Sequence, residues 1–209
     1  MSTFRQAYPP LDGRRGRLGA VVLTGGTGSR LGGVNKSSIQ VGGITLLERA
    51  ITATVSADEV VVVGEQVLTS RPVTWTREDP VGGGPAAGLL AGIDVFEVPP
   101  ELVCVLAVDM PRVTTSTVAR LLDALTEDDH ADAAVVVDED GEQQTLAGVY
   151  RYAALMSARP ANCEHEHGLS IRRLVSALRM IGIRAVGEEA RDVDTWEDLR
   201  TLNEQAMDE

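Results

Sequence analysis

Short β-branched apolar runs alternate along the chain with longer segments whose apolar positions recur at helical spacing. Ala20–Leu23, Glu59–Val63, Val73–Thr76, Val103–Val108 and Ala133–Val137 read as strands. All but Val73–Thr76 are nearly continuous in apolar residues, the pattern of strands with both faces covered. Thr45–Val55, Ala86–Phe96, Thr115–Leu125, Ser170–Met180 and Thr195–Gln205 carry the helical period, and Gly182–Val186 reads as a further short extended run. Thr115 stands ahead of its helical period, and "DTWEDL" sets Thr195 as an N-cap with Asp198 three residues on. This order predicts an α/β fold of three layers, a Rossmann-like, mostly parallel sheet with helices on both faces.

In such sheets ligands bind at the carboxyl ends of the strands, so the residues just beyond each predicted strand are the chemical candidates. They are "TGGTGSRLGGVNK" after Leu23, "REDPVGGGPAAG" after Thr76, "DMP" after Val108 and "RDVDTWEDL" beyond Val186. One edge thereby collects glycine, lysine, arginine and carboxylates. Counting excludes two common phosphate loops. A P-loop has glycine immediately before its lysine and another five residues earlier, where this chain has Asn35 and Arg30. The dinucleotide fingerprint ends on glycine, where "GTGSRL" has Leu31. What remains still suits a triphosphate: Gly25, Gly26 and Gly28 let backbone N–H groups turn toward an anion, while Arg30 and Lys36 supply positive charge.

Composition narrows the partners. With 209 residues and 44% hydrophobic content, one domain over residues 19–209 is expected, preceded by a flexible tail over residues 1–18 that has charge and proline but no apolar leader segment. A formal charge of −12 argues against nucleic acid or an anionic membrane surface as the main partner. No stretch approaches the ~20 apolar residues of a membrane span. Cys104 and Cys163 form neither a disulfide framework nor a zinc pattern, which suggests the cytoplasm.

"LTGGTGSRLGGVNKSSIQVGGITLLE" resembles the L-x-G-G-x-x-x-R-M-G-x-x-K signature of nucleotidyltransferases, most closely the molybdenum cofactor guanylyltransferases of the MobA type. The similarity continues through "EDPVGGGPAAGLLAGI", "VLAVDMP", "QTLAGVYR" and "DVDTWEDL", nearly the whole chain after the tail. The resemblance implies a nucleotide-diphospho-sugar transferase-like fold and transfer of GMP from GTP to the terminal phosphate of molybdopterin, with release of pyrophosphate. It implies Lys36, Arg30 and Asp109 as catalytic residues. Nucleotide contacts are implied at Leu23, Thr24, Gly25, Gly26, Lys36, Asp79 and Asp109, and a Mg²⁺ site at Asp109 and Asp194. Asp79 is the matching residue for accepting the two donors of a guanine edge. The acceptor is expected across the site, near "QTLAGVY", Arg172 and Arg173. Molybdoenzymes or cofactor-delivery proteins are the implied downstream partners.

The chain departs from the family pattern in places. Thr24 stands where the family usually has Ala, and Asn35 where an Asp precedes the lysine, which removes a neighbouring carboxylate that would orient Lys36. Gly64 falls where the family places an Asn against the nucleotide, so that contact is absent or replaced. The double glycine at 25 and 26 points to the guanine branch. A cytidylyltransferase on the same acceptor, a sugar-1-phosphate nucleotidyltransferase, and a non-catalytic nucleotide-binding adaptor for cofactor delivery stay open as alternatives.

Overall fold

The computed structural model describes residues 16–25 and 35–207. The first described element is strand β1 (Leu18–Leu23); beyond the 3₁₀ turn at Lys36–Ser38, β2 (Gln40–Val41) and β3 (Ile44–Thr45) form a hairpin that runs into helix α1 (Leu46–Ala53). Then follow β4 (Glu59–Val63), β5 (Thr74–Thr76), α2 (Gly84–Asp94), β6 (Leu102–Ala107), α3 (Thr115–Glu127), β7 (Ala133–Val137) and β8 (Gln143–Arg151). The last elements are α4 (Tyr152–Ala158), α5 (Ile171–Leu174), β9 (Met180–Arg184) and α6 (Trp196–Met207).

The main sheet has the order β5-β4-β1-β6-β8-β7-β9. Only β8 runs against the others, pairing antiparallel with both β6 and β7. Its inner strands bury both faces, and successive residues divide between two cores. Ala20, Val22, Val60, Val62, Cys104 and Leu106 pack with α1, α3 and α6. Val21, Leu23, Val61, Val63, Val103 and Val105 pack with α2, α4 and α5. This is the three-layer α/β/α arrangement expected from the continuous apolar runs. Among the described residues no helix is long and apolar enough to cross a membrane.

Several elements differ from the sequence expectation. The β2–β3 hairpin turns on Gly42 and Gly43, both with positive φ (57° and 78°), the backbone a two-residue hairpin loop demands. β8 was not anticipated, because it opens on Gln143 and Gln144 and carries a bulge that breaks its alternation. The helix expected over Ser170–Met180 shrinks to Ile171–Leu174. Its periodic apolar residues Ile171, Leu174 and Val175 are buried, but the Arg179 carbonyl accepts the Asp132 N–H at 2.8 Å and draws Met180–Arg184 into the sheet beside β7. That strand begins two residues before the expected Gly182. The N-cap of α3 is Thr114, one residue before Thr115: the Thr117 hydroxyl accepts the Thr114 N–H at 3.0 Å and the Thr114 hydroxyl accepts the Thr117 N–H at 3.4 Å. The Thr195 cap holds, with the Thr195 N–H donating to Asp198 at 2.9 Å and the Asp198 N–H to Thr195 Oγ1 at 3.2 Å.

Candidate active site

The carboxyl ends of β1 and β4 open into a cleft of about 430 Å³. Leu23, Thr24 and Gly25 form one wall, Val63 and Gly64 another, and the N-terminal turn of α2 closes it through Gly84, Pro85 and Gly88. The edge stays sheet-like one residue past β1, since the Thr24 N–H donates to the Val63 carbonyl at 3.1 Å. The same carbonyl accepts the buried Thr24 hydroxyl at 2.9 Å. Polar groups at the cleft come from Glu65, Arg77 and Glu78, the last accepting the Gly82 N–H at 3.1 Å.

Asn35 lies on the cleft wall, and its side-chain Oδ1 accepts the Ser37 N–H at 3.1 Å and the Ser37 hydroxyl at 2.7 Å. It thereby caps the Lys36–Ser38 turn and fixes the backbone from which Lys36 projects. The Lys36 ammonium uses all three of its protons. It donates to Asp109 Oδ2 at 3.2 Å, to Asp194 Oδ1 at 2.9 Å and to the Val193 carbonyl at 3.2 Å. Asn35 therefore does not leave Lys36 unoriented, as its lack of a carboxylate suggested, because distant carboxylates supply the partners. Burial pulls the Lys36 pKa down, but the hydrogen bond to Asp194 and the charge of Asp109 outweigh it, and the group lies above its ordinary 10.5. It is a fixed cation at neutral pH.

Two backbone features hold the carboxylates in place. Asp109 leaves β6 one residue beyond Val108, whose N–H donates to the Leu23 carbonyl at 3.1 Å. The Val193 N–H donates to the Asp109 carbonyl at 2.7 Å, tying the segment before α6 to the β6 loop. Further back, the buried Glu189 carboxylate anchors that segment. It accepts the Thr117 hydroxyl at 2.7 Å and the Val186 N–H at 2.9 Å, and it pairs with Arg120.

The structure thus brings Leu23, Thr24 and Gly25 together in the cleft, with Lys36, Asp109 and Asp194 joined beside it. Gly26 and Arg30 lie outside the described residues. Asp79 is exposed and is not among the residues lining the cleft, whereas its neighbour Glu78 is. Glu65, Arg77 and Glu78 were not singled out from the sequence, although Arg77 and Glu78 open the quoted "REDP". Arg172 and Arg173 are both exposed, and Arg172 pairs with Glu142 at 3.3 Å.

Asp109 and Asp194 each place an oxygen within 3.2 Å of one point, the Lys36 ammonium, so their carboxylates converge. Two converging carboxylates suit Mg²⁺, which commonly takes one or two protein carboxylates and completes its shell with water and substrate phosphates. Among the described residues no group of three or more His, Cys, Asp or Glu is placed to hold a metal by itself.

Residues 20–181 match the family model of the MobA-like NTP transferase domain. The chain belongs to this family. This MobA-like domain is similar to the molybdenum cofactor guanylyltransferase of Shewanella amazonensis, 31% identical over 62% of the chain and 67% of that protein. It is also similar to the molybdenum cofactor guanylyltransferase of Methylibium petroleiphilum, 36% identical over 52% of the chain. That match spans 55% of the Methylibium protein, about half its length. In fold it is similar to the crystal structure of molybdopterin-guanine dinucleotide biosynthesis protein A from Archaeoglobus fulgidus. The TM-score is 0.68 at 19% identity, covering 91% of this chain and all of that one.

Proposed function

We propose that this MobA-like domain transfers GMP from GTP to the phosphate of molybdopterin, releasing pyrophosphate and forming molybdopterin guanine dinucleotide. The observation that carries the reading is the Lys36 ammonium held between Asp109 and Asp194 at the edge of the cleft, in a family whose similar members are named for this reaction. The base and ribose of GTP occupy the cleft, with the glycines after β1 receiving the phosphates.

The acceptor is a phosphate monoester with a second pKa of about 6, so at neutral pH it is already largely a dianion. No general base is required, and catalysis consists of positioning two anions and neutralising their charge. Lys36 carries the positive charge for the transferring phosphate. Asp109 and Asp194 would hold Mg²⁺, which would supply electrostatic stabilisation to the transferring phosphate. Because both carboxylates now hold Lys36, its ammonium turns toward the phosphate as the substrates bind.

The test is formation of dinucleotide by the purified chain from molybdopterin, Mg²⁺ and each nucleoside triphosphate in turn. The proposal expects a strong preference for GTP. Preference for CTP would make the chain a cytidylyltransferase, and GTP binding without turnover on molybdopterin that is active with a known guanylyltransferase would make it an adaptor.

A further inference from the structure

Three oxygens surround the Lys36 ammonium: Asp109 Oδ2 at 3.2 Å, Asp194 Oδ1 at 2.9 Å and the Val193 carbonyl at 3.2 Å. Two carboxylates and a backbone carbonyl are also the donor types that a hard divalent cation selects. The ammonium and such a cation therefore compete for the same oxygens. Exposure divides the charged groups unevenly. The Lys36 side chain is 11% exposed, whereas those of Asp109 and Asp194 are 32% and 38% exposed, so the carboxylates reach solvent around a covered ammonium. A cation arriving from solution meets the carboxylates with a positive charge already behind them.

The backbone that carries this charge is fixed, and the side chain is not. Asn35 caps the turn at Lys36–Ser38, while the flexible four-carbon stem of Lys36 sets where its ammonium points. In a partly buried place the ammonium repels an incoming cation with little screening by water or salt. It also cancels one of the two carboxylate charges that would attract that cation. An anion that draws the ammonium away relieves both effects. Asn35 lines the nucleotide cleft, so the turn carrying Lys36 borders the place proposed for the triphosphate. Phosphate oxygens offer the ammonium charge-assisted hydrogen bonds and offer a divalent cation further ligands.

We infer that Lys36 is a gate: in the chain alone its ammonium excludes a divalent cation from Asp109, Asp194 and the Val193 carbonyl, and a nucleoside triphosphate opens the site by drawing it away. The inference rests on the reading of Asp109 and Asp194 as metal ligands. It adds an order of binding to the proposed reaction, in which the metal enters with the nucleotide or after it and never before. Linkage makes the effect reciprocal: a triphosphate that withdraws the ammonium raises the affinity for the cation, and the bound cation tightens the hold on the triphosphate. The gate also implies a gain of function. Removing the Lys36 charge creates a metal affinity that the native chain lacks, which a lysine with a merely structural role would not do.

The test is Mn²⁺ binding in the absence of nucleotide, because Mn²⁺ shares the oxygen preference of Mg²⁺ and its free ion is read by electron paramagnetic resonance. The wild-type chain, Asp109→Asn, Lys36→Met and the double variant are compared, with thermal stability recorded for each. Wild type and Asp109→Asn should bind Mn²⁺ equally weakly, since the gate already closes the site. Lys36→Met keeps the apolar stem without the charge and should bind Mn²⁺ at least about tenfold more tightly than wild type. The double variant should lose that gain. Wild-type binding that Asp109→Asn weakens by about tenfold would overturn the gate, whether or not Lys36→Met folds. So would a folded Lys36→Met chain with no gain, or a gain that survives the added Asp109→Asn. Dinucleotide formation by the wild type is scored separately. Its absence overturns the guanylyl-transfer reading and leaves the gate standing, and its presence in a chain that fails the Mn²⁺ comparison does the reverse.

Discussion

The hydroxyl of Thr24 fills the space that any side chain at position 64 would need: a Cβ on Gly64 would lie 1.8 Å from Thr24 Oγ1. Gly64 also has φ +152°, a conformation that side-chain-bearing residues rarely adopt. The two departures from the family pattern at 24 and 64 are therefore one structural feature. With Thr24 hydrogen-bonded to Val63, this wall of the cleft is shaped by a hydroxyl and bare backbone, and no side chain projects into it from position 64.

Gly64→Ala should accordingly destabilise the fold by about 2–4 kcal/mol, from overpacking together with backbone strain. Adding Thr24→Ala should recover the overpacking share, about 1–2 kcal/mol, and leave the strain. Denaturant unfolding of both single variants and the double variant measures this coupling. Strictly additive effects would show that the two positions do not compete for space.

Glu189 gives a pH-dependent prediction. Burial pushes its carboxyl pKa up, but the bonds from Val186 N–H, the Thr117 hydroxyl and Arg120 outweigh this and hold it below its ordinary 4.5. A depressed folded pKa means that this stabilisation is complete above the unfolded value and is lost as pH falls through the folded one. Glu189→Gln should cost about 1–3 kcal/mol at neutral pH and show a shallower loss of stability on acidification below 4.5. Unfolding midpoints at neutral pH and across that acid range decide it, and parallel pH profiles for the two proteins would remove Glu189 from the acid response. Because Glu189 anchors the segment carrying Asp194, the variant should also turn over more slowly.

Nucleotide preference is open to a thermal measurement. A hundredfold excess of GTP over its Kd, with Mg²⁺, should stabilise the chain by about 2.7 kcal/mol, and the same concentration of CTP or UTP by less. Equal shifts for the three nucleotides would remove the guanine assignment and leave only a general nucleotide site.

The parts of this molecule that were legible in its sequence are those that local pattern controls. β1, β4, β6 and β7 were readable because both faces are buried and their apolar runs are nearly unbroken. β8 escaped because it begins with two glutamines and is bulged at Thr145–Ala147, so its alternating period is broken. The start of β9 was hidden because the helical spacing of Ile171, Leu174 and Val175 runs straight toward it, and sheet pairing through Arg179 is a tertiary effect. Lys36 lies 73 residues from Asp109 and 158 from Asp194, so no spacing rule joins them; the motif resemblance did. The resemblance pointed to Asp79, but in the loop after β5 it is Glu78 that lines the cleft.

The central claim is that Lys36, Asp109 and Asp194 form the reacting centre. The most direct measurement is pyrophosphate release from GTP and molybdopterin by the wild-type chain, Lys36→Ala and Asp109→Asn at several Mg²⁺ concentrations, with thermal stability recorded for each. Asp109 and Asp194 have side chains 32% and 38% exposed, so water can solvate them once the ammonium is gone, and both variants should fold. Lys36→Ala should lose about 10²- to 10³-fold in rate, as when one preorganised charge-stabilising group is removed. Asp109→Asn should fall steeply and recover in part with excess Mg²⁺ or with Mn²⁺, which accepts neutral ligands more readily. A stably folded Asp109→Asn or Lys36→Ala chain releasing pyrophosphate at the wild-type rate would contradict the account.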